Sequence, residues 1–159
     1  MSSHPDNPQA GDDPLVARLQ LNLDYTHGFG RLSPFFKALA GGRALASRCP
    51  ACGDVRFPPR RLCLHDGAPT ETHDLAGTGT IMRVTFTSTP IPPGTTAADE
   101  AFAEIAMHGA DNRVLARLAG SPDRFCPGTS VVLHPPAGER VHPIQALVFE
   151  PNEGTDNVE

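Results

Sequence analysis

Apolar positions near the start of the chain recur at every second residue: Leu19, Leu21, Leu23 and Tyr25 alternate with Gln20, Asn22 and Asp24. This is the pattern of a strand with one apolar face. Two surfaces are candidates to cover that face, the chain's own core or a partner on which the segment docks as an arm. Ser33 then predicts a helix N-cap with Pro34 at the first helical position. Phe35, Phe36 and Leu39 fall on one face of that helix, and Gly41-Gly42 offers a left-handed stop. From about Thr72 the pattern becomes strand-like, with candidates at 80–87, 102–107, 113–118, 130–134 and 144–149 separated by Gly, Pro, Asp and Asn turn clusters. Met82, Val84 and Phe86 share the face of the first of these expected to be buried, and Arg83, Thr85 and Thr87 share the other. Five short strands so closely spaced predict a small barrel. The segment 88–100 (STPIPPGTTAADE) is long for a plain connector and is expected to serve function.

Composition agrees with strands and turns. Gly and Pro number 15 and 17 in 159 residues, apolar residues make up 39% and charged residues 19%, a balance that excludes a long helical bundle. The length allows one or two compact units. Residues 1–13 and 151–159 are polar and acidic and read as tails. The opening residues lack a basic start followed by an apolar stretch, and no apolar run exceeds four residues, so the chain is expected to be cytoplasmic.

Charge and cysteine placement change the picture between Arg43 and Pro69. The chain carries a net −5, which disfavours a nucleic-acid backbone as main partner. Yet from Arg43 to Arg61 the residues Arg43, Arg48, Arg56, Arg60 and Arg61 stand against Asp54 alone, a cationic island able to hold an anion. The same segment has too few apolar residues for an ordinary core, so something else must hold it together. Cys49-Pro-Ala-Cys52-Gly53 has the form of a zinc knuckle, in which two thiolates converge on one ion and the glycine lets the backbone turn behind them. Cys63-Leu-His-Asp66-Gly67 repeats the layout with Asp66 where the second cysteine would stand. Zinc accepts carboxylate oxygen, so Asp66 can close the tetrahedron; His65, one position early, is the rival fourth ligand.

A complete active site is not recognisable. Cys126 sits in a predicted turn without a base at a recognisable spacing and reads as a free thiol. His4, His27, His73, His108, His134 and His142 are scattered, and no phosphate loop, dinucleotide fingerprint or nucleophile elbow occurs.

The run FFKALAGGRALASRCPACGDVRFPPRRLC, the Gly77–Thr80 turn and TIMRVTFTSTP together resemble the rubredoxin-like zinc ribbon plus OB-fold proteins long described only as a domain of unknown function. The resemblance covers about residues 33 to 150 and rests most specifically on Phe35-Phe36, Cys49-x-x-Cys52-Gly53, Phe57-Pro58-Pro59-Arg60 and the Gly-x-Gly-Thr entry to the barrel. It implies a mainly β chain: tail 1–13, arm and helix 14–42, zinc ribbon 43–70, five-stranded OB-fold barrel 71–150 and tail 151–159. It departs from the family at Asp66, where a fourth cysteine is usual. The family acts as small subunits beside thiolase-superfamily enzymes, so the resemblance implies a non-catalytic zinc protein in a hetero-oligomer with a thiolase-like partner that handles acyl-CoA. Arg60 and Arg61 are the candidate CoA contacts through paired guanidinium donors, or else surface ion-pair formers. Leu19, Leu21, Leu23, Tyr25, Phe35 and Phe36 are the candidate partner contacts. Two rivals stand: a single-stranded nucleic-acid module, short of aromatic platforms, and a small enzyme built on Cys126.

Overall fold

The computed structural model describes residues 22–87, 100–135, 137–138 and 142–153. A single 3-10 turn, Gly30–Leu32, runs directly into helix α1 (Ser33–Ala40). Ser33 is therefore the first helical residue, not the expected N-cap; Leu32 occupies that position without a side-chain cap. The physical reason is that an N-cap needs extended backbone, whereas the preceding turn already places Ser33 at φ −53°, ψ −40°. At the other end Gly42 is left-handed at φ +76°. The N–H groups of Gly42 and Arg43 donate to the carbonyls of Leu39 and Ala38 at 3.0 and 2.9 Å, a Schellman closure.

Strands β1 (Ala44–Arg48), β2 (Val55–Arg56) and β3 (Glu71–Leu75) form an antiparallel sheet in the order β2-β1-β3. Small residues on β1 leave room for neighbours on both sides, and Ala44 through Ser47 are all buried. The barrel consists of β4 (Thr78–Thr87), β5 (Glu100–Met107), β6 (Arg113–Leu118), β7 (Ser130–Leu133) and β8 (Val148–Pro151). It closes in the order β4-β5-β6-β8-β7, with β6 and β8 parallel and every other pair antiparallel. This is the mainly β ribbon-and-barrel architecture expected, with the Greek-key closure of an OB-fold.

Several boundaries and faces differ from expectation. The strand predicted at 144–149 begins only at Val148, because Pro143–Ala146 forms a 3-10 turn. His142 caps that turn: its Nδ1 accepts from the N–H of Ile144 at 3.1 Å while its own N–H donates to Gln145 Oε1. The predicted tail from 151 starts too early, since Pro151 belongs to β8 and the Asn152 N–H donates to the Ser130 carbonyl at 3.0 Å. On β4, a bulge between Ile81 and Arg83 inserts one residue and shifts the alternation. Ile81 is then the inward residue, Val84 is only partly buried, and Met82 and Phe86 are 37% and 49% exposed, not core as expected. Ahead of the bulge, Gly79 is required by close approach: a Cβ there would lie 2.7 Å from Ile105 Cγ2.

The ribbon segment does not lack a core; it shares one. A single buried cluster runs from Phe35 and Leu39 through Ala44, Ala46, Val55 and Phe57 into barrel residues such as Ile105 and Phe149. The β5–β6 turn clips the two parts together. Asp111 accepts from the Val55 N–H at 2.7 Å and returns its own N–H to the Val55 carbonyl at 2.8 Å. Asn112 accepts from the Phe57 N–H at 2.9 Å and donates to the Phe57 carbonyl at 2.8 Å, so its amide acts as a strand partner.

The predicted leading strand does not form over its described part: residues 22–29 carry no strand, and Leu23 and Tyr25 are 85% and 76% exposed. Leu19 and Leu21, the tail 1–13 and the segment 88–99 lie outside the described residues. Among the described residues no helix is long and apolar enough to cross a membrane.

The clip generates a stability prediction. Asn112→Ala leaves both backbone polar groups of Phe57 buried and unpaired, so urea denaturation should show a loss of about 1–3 kcal/mol. Leu115→Ala, on the exposed face of β6, should stay within about 0.5 kcal/mol of the parent.

Candidate metal centre and cationic cleft

The two knuckles are built alike. In the first, the Cys49 N–H donates to the Asp54 carbonyl at 2.9 Å and the Gly53 N–H to the Cys49 carbonyl at 2.9 Å. In the second, the Cys63 N–H donates to the Ala68 carbonyl at 2.9 Å and the Gly67 N–H to the Cys63 carbonyl at 3.1 Å. Gly53 and Gly67 stand at φ +79° and +71°, the left-handed conformation that lets each loop double back under its ligands.

The donor atoms of Cys49, Cys52, Cys63 and Asp66 all lie within 4.8 Å of one another. Cys52 and Cys63 sulfurs are 3.5 Å apart, and Cys49 Sγ lies 3.5 and 3.8 Å from the two Asp66 oxygens. A tetrahedron with zinc–sulfur bonds of about 2.3 Å and a zinc–oxygen bond of about 2.0 Å has edges of roughly 3.5–3.8 Å, so the donor set fits zinc. His65 does not join: its Nε2 is 3.7 Å from Asp54. Cys126 stays apart as well, exposed, with the Thr129 hydroxyl 3.3 Å from its sulfur and no place in the cluster.

Backbone N–H groups tune the donors. The Asp54 N–H, followed by contacts with the neighbouring thiols, lowers the Cys52 pKa against its desolvation. The Ala68 N–H, 2.8 Å from Asp66 Oδ1, is the main cause holding that carboxylate below its usual range. The His65 N–H, 3.3 Å from Cys63 Sγ, pulls that thiol down, yet burial and the hydrogen bonds to Cys52 and Asp66 outweigh it and push it up to about 11. Just outside, Arg56 donates to Asp54 at 2.7 Å and holds its pKa low, which ties the first knuckle to β2.

That ion pair also divides the cationic island. Arg56 is spent on Asp54, and Arg43 lies 3.7 Å from Asp74. Arg60 and Arg61 have their backbones fixed, the first by Ser47 Oγ at 2.9 Å and the second by the Thr70 N–H at 3.1 Å. Both residues line a cleft of about 360 Å³ between the start of α1 and the ribbon sheet. Arg31 lines it too, with exposed Leu32 and Leu62, and Glu71 as the acidic residue. Among the described residues none of these three arginines makes an ion pair. Arg31 carries no local signal in the sequence, because only the packing of the 3-10 turn brings it beside residues thirty positions later. Phe35 is buried toward the core, and Phe36 is half-buried with its ring 4.5 Å from that of Phe29, so of the six proposed partner contacts only Leu23 and Tyr25 are shown largely exposed.

Geometry and sequence define a class: a rubredoxin-like zinc ribbon joined to an OB-type barrel. Residues 36–71 match the sequence model of the ChsH2 rubredoxin-like zinc ribbon domain. Among solved structures the chain is similar to one described as an "Ltp2-ChsH2(DUF35) aldolase", at TM-score 0.60 and 27% identity, covering 84% of this chain and 98% of that one. A protein of unknown function from the DUF35 family of Sulfolobus solfataricus shares the fold at TM-score 0.56 and 16% identity, covering 75% of this chain and 83% of that one. Comparison with curated protein sequences finds no match. The ribbon match and these neighbours agree with the resemblance seen in the sequence.

Two outcomes follow for the metal. The purified chain should hold about one zinc, and Cys49→Ala should lose it and reduce solubility while Cys126→Ala changes neither, as elemental analysis and centrifugation report. Because Cys63 is protonated at neutral pH without metal, zinc must displace its proton. Apparent zinc affinity should therefore rise by at least about tenfold per pH unit through the neutral range and fall away on acidification, measured by chelator competition at several pH values.

Proposed function

We propose that the chain is a non-catalytic subunit of a thiolase-like acyltransferase, thiolase or aldolase complex acting on acyl-CoA, which supports acyl-CoA binding and partner stability. The observation that carries this reading is its similarity to the chain of the Ltp2-ChsH2(DUF35) aldolase structure, almost the whole of which it covers. Zinc held by Cys49, Cys52, Cys63 and Asp66 would close the ribbon, a structural task with no open coordination position. The chain's own residues support an auxiliary role. Acyl transfer to or from carbon needs an activated thiolate, a base and an oxyanion hole, and the polar neighbour of Cys126 is a threonine hydroxyl. The reacting groups are then the partner's.

Two surfaces support the binding role. Leu23 and Tyr25 are left exposed by the described fold, which suits the arm reading of residues 15–29. In the cleft, Arg31, Arg60 and Arg61 offer paired donors to the phosphates of a CoA thioester, with Leu32 and Leu62 as apolar surface for its less polar portion. The nucleic-acid rival gains little from the exposure of Phe86. On the outer face of β5, Glu104 and Glu100 pair with Arg83, Arg113 and Arg117, which removes the free cations a strand-tracking groove needs.

Co-expression with its thiolase-like partner tests the reading. Deleting residues 1–30 should abolish co-purification while the barrel stays folded; equal recovery of the partner by the truncated chain rejects the arm. In the complex, Arg60→Ala combined with Arg61→Ala should raise KM for the CoA thioester roughly tenfold or more, with a smaller effect on kcat. Unchanged KM removes the anion role. Thioester turnover by the isolated chain at the rate of the complex, lost in Cys126→Ala, overturns the subunit reading.

A further inference from the structure

The four donors of the metal centre are unequal in kind and in access. Cys49 is buried at 1% exposure with its sulfur toward Asp66, whereas Cys52 is exposed with its sulfur 3.5 Å from that of Cys63. The fourth donor is an exposed carboxylate, not a thiolate. Zinc is borderline-soft and thiolate sulfur suits it well, so the oxygen donor at the solvent edge is the ligand most readily exchanged for water. Its exchange would leave three thiolates on the ion, of which Cys52 is exposed and stands beside the Cys63 sulfur.

We propose that Cys52 and Cys63 are a modification site, a dithiol that peroxide converts to a disulfide with release of the zinc. The Cys52 thiolate attacks one peroxide oxygen; the O–O bond breaks, the departing oxygen takes a proton and leaves as water, and Cys52 becomes a sulfenic acid. The Cys63 thiolate then attacks that sulfur, the S–O bond breaks, and the departing hydroxide takes a second proton to leave as water. Two electrons pass from the sulfur pair to peroxide, and two thiolates are withdrawn from the metal. The sulfurs must approach by about 1.5 Å to reach bonding distance. Gly53 and Gly67, the left-handed turns beside the ligands, carry no side chain, and a Cβ built at either would meet no atom within 4 Å, so these turns are the places where the backbone can make that adjustment. Cys49 and Asp66 are left as an incomplete pair. The inference concerns the chain by itself and stands apart from the partner and CoA readings.

The test treats the full-length zinc-loaded chain with a small excess of hydrogen peroxide. A chromogenic chelator follows zinc, intact mass follows oxidation, and peptide mapping without reductant locates any link. The expected result is one zinc released per disulfide formed, a mass loss of about 2 Da with a Cys52–Cys63 link, and recovery of zinc binding after dithiothreitol and added zinc. Asp66→Cys, which restores a fourth thiolate, should slow zinc release several-fold, and Cys126→Ala should leave the rate unchanged. A Cys49–Cys52 link, oxidation to sulfinic or sulfonic acid without a link, zinc retained under peroxide, or equal release rates in the Asp66→Cys variant would each overturn the proposal, as would a freshly prepared chain that carries no zinc.

Discussion

Phe57 lies at the point where ribbon, helix and barrel meet, with no exposed surface and with a backbone that continues past the end of β2. A buried N–H and carbonyl at such a place must find partners. The side-chain amide of Asn112, from a turn more than fifty residues later, satisfies both. That pairing sets the attitude of the ribbon on the barrel, and the remaining geometry depends on it. Ring contacts continue outward from Phe57 to Phe35 at 5.9 Å, then to Phe36 at 5.0 Å and Phe29 at 4.5 Å. The root of the N-terminal arm is thereby held against the core, while Leu23 and Tyr25 remain outside it.

The same arrangement explains why a short, polar ribbon can carry a metal centre. Its inner end borrows apolar partners from α1 and the barrel through Ala46, Val55 and Phe57. Its outer end has none to borrow, since Leu62 and Leu64 are exposed, and there the two knuckles bring their donors together. An ion at that end would replace the missing apolar core with ligand bonds, the usual solution for a segment too small to bury itself. Arg56, paired with Asp54, belongs to this anchoring set. Arg60 and Arg61, only a few residues further along the chain, belong to the cleft. One cationic stretch of sequence thus serves two different physical tasks.

Local chemistry was readable directly from the chain. The knuckles need only a few consecutive residues, because thiolate spacing and a left-handed glycine impose the loop, and the two loops show the same hydrogen bonds. The barrel strands at 102–107 and 113–118 also follow their alternation, since both are regular and paired along nearly their whole length. Predictions went wrong where a neighbour in space altered the local pattern. A bulge reassigned the faces of β4, a preceding 3-10 turn took the cap role from Ser33, and the His142 cap turned the start of a predicted strand into a helical turn.

What the sequence by itself determined is therefore the mainly β class, the two metal-binding loops, the helix carrying Phe35 and Leu39, and the approximate places of the strands. All of these rest on interactions within about a dozen residues. Only the tertiary structure decided that Asp66 and not His65 faces the three sulfurs, that Asn112 clips Phe57, and that Arg31 joins Arg60 and Arg61. Each of those depends on side chains brought together by chain closure over long separations, and hydrophobic periodicity says which face is buried but not which residue stands opposite.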